Sequence, residues 1–124
     1  MRITRIRIAR LEHPLEPPFD AAWAVGMRRT RTVAEPALAR NRWFSPHTWT
    51  NGIGLLANLH VVAGVGGGPY LEYPYDPPGW TPGRRDFMLA TPVGIDGDGL
   101  LRVPAGPGLG IELSAVAQGA LDVA

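Results

Sequence analysis

Apolar positions along the chain switch between a period of two and a helical period, and the switches predict the elements. In "MRITRIRIARLEHPL", Ile6 and Ile8 fall on one side of an alternating pattern and Arg5 and Arg7 on the other. That is a half-buried strand, stopped by Pro14 and by Pro17-Pro18. "EPPFDAAWAVGM" predicts a loop holding Phe19 and Trp23, apolar groups that a plain linker would not need. "RRTRTV" predicts a second strand from its β-branched Thr30, Thr32 and Val33, completing an antiparallel hairpin. "AEPALARN" then breaks the pattern around residues 34–36 and offers barely one helical turn.

Further on, residues 42–46 predict a short strand and residues 50–64 a well-formed helix. Ile53, Leu55, Leu56, Leu59, Val61 and Val62 cover most of the helical wheel, leaving Asn51, Gly54 and Asn58 as a narrow polar or small stripe. A helix apolar on nearly all sides belongs inside a larger body. Thr50 or Asn51 can cap its start, because a side-chain oxygen there satisfies a free backbone N–H. Gly64 is placed to end it in a left-handed conformation. "YLEY" predicts another short strand at residues 70–73. "VGIDGDGLLRVP" predicts a hairpin turning at residues 96–99, and residues 114–121 form a weak terminal helix. These elements make an α+β protein without internal repeats.

Composition narrows this picture. The chain has 124 residues, 45% hydrophobic and 19% charged, which is globular rather than disordered. Sixteen glycines and 13 prolines imply many turns and a modest core, which leaves a homo-oligomer open. The net charge of +1 does not suggest a nucleic-acid binder. Arg2, Arg5, Arg7, Arg10, Arg28, Arg29 and Arg31 cluster early, and this reads as a solvated or interface face. There is no cysteine and no lysine. Arginines stand where a signal peptide needs its apolar stretch, so a cytoplasmic protein is expected. Residues 43–71 carry no charge, but their helical part is short and holds Asn58 and His60, so a buried helix is expected rather than a membrane span.

Most chemistry-bearing motifs reduce to structure. "DGDG" resembles the start of a calcium loop, but position five is Leu100 and no glutamate closes the loop at position twelve, so a turn is the reading. "GPGLG" lacks the spacing and the later acidic residue of a dinucleotide loop. His13 precedes a proline in a loop, and His60 on the apolar helix reads as a hydrogen-bonded core histidine. His47 differs. It stands at the end of a short strand immediately before a helix, and Glu72 holds the corresponding place in "YLEY". In an α/β barrel that is the face where catalytic residues gather, so the two could converge on one substrate as base and acid.

"SPHTWTNGIGLLANLH", then "PYLEYPYDPPGW", then "IDGDGLLRVPAGPGLGIEL" resemble the C-terminal end of the mandelate racemase and muconate lactonizing enzyme group of the enolase superfamily. Within that group the likeness is greatest to the acid-sugar dehydratases. "ITRIRIARLEHPLEPPF", the Trp23 loop and "RRTRTV" resemble the start of the same proteins' N-terminal capping domain. The resemblance implies a fragment of an enolase-superfamily fold. Residues 1–34 would be the start of the capping domain, and residues 35–76 a remnant of the TIM barrel with strand 7, helix 7 and strand 8. Residues 77–124 would be the C-terminal segment.

The family's reaction, lyase or isomerase, removes the proton α to a carboxylate while magnesium stabilises the enediolate. By resemblance His47 is the catalytic histidine at the end of the seventh strand. Glu72 is the acid at the end of the eighth, donating a hydrogen bond to the carboxylate of a sugar acid. Phe19 and Trp23 are candidate contacts from the loop that closes over the site.

A barrel alone takes about 250 residues, and here the second capping strand leads to the seventh barrel strand within a few residues. The magnesium carboxylates, the aspartate that orients the histidine and the lysine motif all belong to the part passed over. No metal site and no cofactor are therefore expected in this chain. Two readings follow: an internally deleted or partial dehydratase, or a small non-enzymatic module that binds a partner or itself.

Overall fold

The computed structural model describes residues 27–122. The predicted first strand, His13, and the loop with Phe19 and Trp23 lie outside the described residues. Four helices follow in order: α1 (Met27–Leu38), α2 (Gly52–Val65), α3 (Pro82–Arg85) and α4 (Ala115–Asp122). None of them is long and apolar enough to cross a membrane.

α2 forms where the pattern places it. Asn51 caps it, its Oδ1 accepting the Gly54 N–H at 3.0 Å. Leu55, Leu56 and Leu59 join Leu89 and Val93 in the core, with Ile53, Leu71, Tyr73, Leu101 and Ile111 packed around them. Each buried leucine contributes about 1.5–3 kcal/mol. The helix ends at Gly66 rather than Gly64. Gly66 has φ 66° and its N–H returns to the Val62 carbonyl, whereas Gly64 remains inside the helix.

"RRTRTV" is helical, not a strand. Thr30 and Ala34, one turn apart, are both buried, and α1 packs against α2. On the open side Arg31 Nε pairs with Glu35 Oε1 at 2.7 Å across four residues. This packing overrides the β preference of the threonines and valine. Asn41, at φ 54°, turns the chain out of α1; asparagine is among the few residues that tolerate that conformation.

Among the described residues the β part of the α+β expectation is not met. Among the described residues there is no strand ladder, only isolated antiparallel bridges between Asp76 and Trp80 and between Leu89 and Leu113. The segments 42–46 and 70–73 still run side by side. Trp43 meets Tyr70 edge to face at 5.9 Å, and Thr48 meets Glu72 further along both segments. One backbone bond, Phe44 N–H to Gly67 O at 2.6 Å, ties this region. Pro46, Pro69 and Pro74 in and around these segments supply no N–H, so a ladder cannot extend. The 96–99 turn closes, with Asp96 N–H donating to Leu100 O at 2.9 Å, but its flanks form no ladder. α4 matches the expected terminal helix; Ser114 immediately precedes it, and its Oγ accepts the Ala117 N–H at 3.3 Å.

A buried ion pair fixes the segment below α2. Arg85 is fully buried, with Nε 2.7 Å from Asp86 Oδ1 and Nη2 2.7 Å from Oδ2. Its remaining donors reach Pro74 O, Val93 O and the Tyr73 hydroxyl, and it stacks over the Tyr73 ring at 4.3 Å. Asp86 Oδ2 also accepts the Val93 N–H at 2.8 Å. Desolvation opposes the charge on Arg85, but bonds to Asp86 and Tyr73 and the Asp86 charge hold its pKa above the ordinary value. A Cβ on Gly52 would run into the Asp86 carboxylate and Leu89. Glycine is therefore required where α2 starts against this knot.

Candidate functional site

The corner between the extended segment and α2 is built around Thr48. Its side chain is fully buried, and Oγ1 donates to Pro46 O at 2.9 Å. Asn58, buried on α2, donates from Nδ2 to the same Oγ1 at 3.3 Å. Thr50 N–H adds a bond to Thr48 O at 2.7 Å. The turn that carries His47 is thus pinned from inside.

Glu72 closes the corner from the neighbouring segment. Its Oε2 accepts the Thr48 N–H at 2.5 Å and lies 3.0 Å from His47 Nδ1. The His47 side chain is 57% exposed and that of Glu72 35%. The two candidate catalytic residues are therefore brought together, on the same side, although the strands expected to carry them form no ladder. Among the described residues, neither side chain lines the surface clefts of about 400 and 420 Å³.

His60 Nε2 lies 3.2 Å from Leu109 O, the satisfied, half-buried histidine that its apolar surroundings imply. In "DGDG", Asp96 Oδ1 accepts the N–H groups of Asp98 and Leu100 while Oδ2 meets Arg102 Nε at 2.6 Å. The Leu100 N–H and then Arg102 hold its carboxyl below the ordinary value, so this is a tied turn.

Magnesium, implied by the resemblance, does not fit the described residues. Nowhere among them do three His, Cys, Asp or Glu side chains converge. Glu72 is engaged by Thr48 and His47, Asp86 lies under Arg85, and Asp96 is held by its own turn. Near-octahedral coordination needs carboxylates with open lone pairs.

Thr48 and Asn58 escaped the sequence reading. Asn58 was visible as the single amide amid an apolar stretch, seven residues beyond the cap Asn51 and so on the same helix face. The wheel places it in the polar stripe, whereas burial and the bond to Thr48 make it part of the corner.

No curated protein and no solved structure matches the chain. A family model described as "Enolase C-terminal domain-like" matches residues 18–117. That match covers most of the sequence and includes the His47 corner, the neighbouring Glu72 segment and the Arg85 knot, so the chain belongs to the enolase C-terminal domain-like family.

Proposed function

We propose that this chain derives from a cytoplasmic acid-sugar dehydratase or racemase of the mandelate racemase and muconate lactonizing group, shortened or internally deleted. His47 holds the place of the group that, in the parent reaction, exchanges a proton at the carbon next to a sugar-acid carboxylate, and Glu72 holds the place of the neighbouring acid. The observation that carries this reading is the 3.0 Å approach of His47 Nδ1 to Glu72 Oε2 at one corner, in a chain of the enolase C-terminal domain-like family. A metal in such a reaction supplies several kcal/mol of charge stabilisation, and the described carboxylates do not fit one. General-base catalysis alone is worth about 10²–10⁴-fold, far below the ~10⁶-fold or more of ordinary enzymes. The chain by itself is therefore expected to be inactive. The test is a panel of sugar acids with magnesium, following 2-keto product, beside His47→Asn. Absence of turnover is expected; magnesium-dependent turnover lost in His47→Asn would make the chain a minimal enzyme.

One observation favours a second reading, a non-enzymatic module that self-associates. Trp43 and Tyr70 are 74% and 70% exposed, and Tyr70 lines an open cleft with Leu71, Ile95, Leu100 and Val103. Sedimentation separates the readings: a dimer that Trp43→Ala and Tyr70→Ser disperse supports the module, a monomer at all concentrations removes it.

A further inference from the structure

We infer that the cleft where Leu56 of α2 meets residues 91–112 binds a small organic ammonium ion with an apolar body, held at its rim by the Glu112 carboxylate. The cleft encloses about 400 Å³ and shares no lining residue with the His47 corner. Ligand pockets usually run from roughly 300 to 1,000 Å³ and combine apolar walls with a few polar groups. Here Leu56, Val93 and Ile111 supply apolar lining, and Thr91, Arg102 and Glu112 the polar groups.

The two charged groups are not equivalent. Arg102 Nε meets Asp96 Oδ2 at 2.6 Å and Nη2 meets Asp98 Oδ2 at 3.5 Å, so two carboxylates already offset its single charge. Glu112 gives its backbone carbonyl to the Ala90 N–H, but among the described residues its carboxylate has no hydrogen bond or ion pair. The uncompensated charge of the lining is therefore negative, and its complement is a cation. An ammonium group is donor-only and a carboxylate acceptor-only, so the two match, and the Thr91 hydroxyl oxygen offers a further acceptor. A ligand carboxylate would instead meet a guanidinium already shared. Glu112 is exposed, which keeps the ammonium at the rim while the apolar body enters. The walls are fixed from behind. Val93 donates its N–H to Asp86 and accepts from Arg85, and the Leu89–Leu113 bridge flanks Glu112. Gly110, at φ 64°, sits so close to Pro104 that a Cβ would lie 2.9 Å from its carbonyl. A cleft formed in advance spends little ordering on its ligand.

The test is a ¹H–¹⁵N NMR titration of the full chain with phenethylammonium. Phenylethanol and phenylalanine serve beside it, one carrying the same ring without charge and the other adding a carboxylate. Phenethylammonium at millimolar concentration is expected to give saturable shifts at the Val93, Gly94, Ile111 and Glu112 amides. Phenylethanol should bind about fivefold more weakly, as should phenethylammonium to Glu112→Gln, each losing one exposed charge contact. Absence of saturable shifts at those amides overturns the inference. So does phenylethanol or phenylalanine binding as tightly as phenethylammonium, or a folded Glu112→Gln that binds it unchanged. The three ligands on the unmodified chain decide the matter even if the variant does not fold. None of these readouts involves sugar-acid turnover, so the cleft stands or falls apart from the His47 corner.

Discussion

Thr48 has no exposed surface, and its hydroxyl serves two partners at once, Pro46 O and Asn58 Nδ2. Thr48→Val keeps the shape but removes the acceptor, leaving the Asn58 amide buried without that bond. The expected loss is about 1–3 kcal/mol, read from the urea midpoint; an unchanged midpoint would show that the bond carries no weight. Asp96 gives a second test at this scale. Its folded carboxyl lies below its ordinary value of 3.8, first because of the Leu100 N–H and next because of Arg102. A depressed folded pKa stabilises above the unfolded value, and that contribution is lost as pH falls through the folded one. The Asp96 carboxyl carbon should therefore titrate below 3.8. Arg102→Ala should raise the midpoint only in part, since the larger cause is backbone. A midpoint at or above 3.8 in the unmodified chain contradicts the turn described above.

α2 is legible because its apolar residues repeat at helical spacing and Thr50 or Asn51 can cap its start; the structure selects Asn51. Its end was misplaced because several glycines follow one another, and spacing alone does not say which takes the left-handed φ. Two substitutions separate them. Gly66→Ala forces a Cβ into φ 66° and should cost about 1–2 kcal/mol. Gly64→Ala adds a Cβ that meets nothing within 4 Å inside a helix and should stabilise by roughly 0.5–1 kcal/mol. Thermal unfolding of both variants gives the signs, and equal signs would mean the cap is elsewhere. α1 was not legible. Thr30, Thr32 and Val33 favour strand locally, and packing of α1 against α2, with Thr30 and Ala34 buried, makes the helix the better outcome.

Across the whole molecule the strongest polar commitment is the Arg85–Asp86 knot, which binds Tyr73, Pro74 and Val93 together beneath α2. Removing one partner of a buried pair strands the other charge at about 3–5 kcal/mol, a large share of the 5–15 kcal/mol typical of a native domain. Asp86→Ala should therefore unfold at much lower urea than the unmodified chain, and a loss below about 1 kcal/mol would mean that water reaches Arg85. "RRDF" gave no sign of this, because burial of an arginine depends on which carbonyls surround it after folding. Local residues are enough to specify α2, a cap at Thr50 or Asn51, the 96–99 turn, the terminal helix and His47 at a helix entrance, since each depends on neighbours within a few positions. Partners distant in sequence decided α1, the missing ladders, the Arg85 knot and the meeting of His47 with Glu72. Their energies come from contacts that periodicity does not encode: packing between helices, prolines that remove ladder donors, and a carboxylate 25 residues from its histidine brought within reach only when the two extended segments lie side by side.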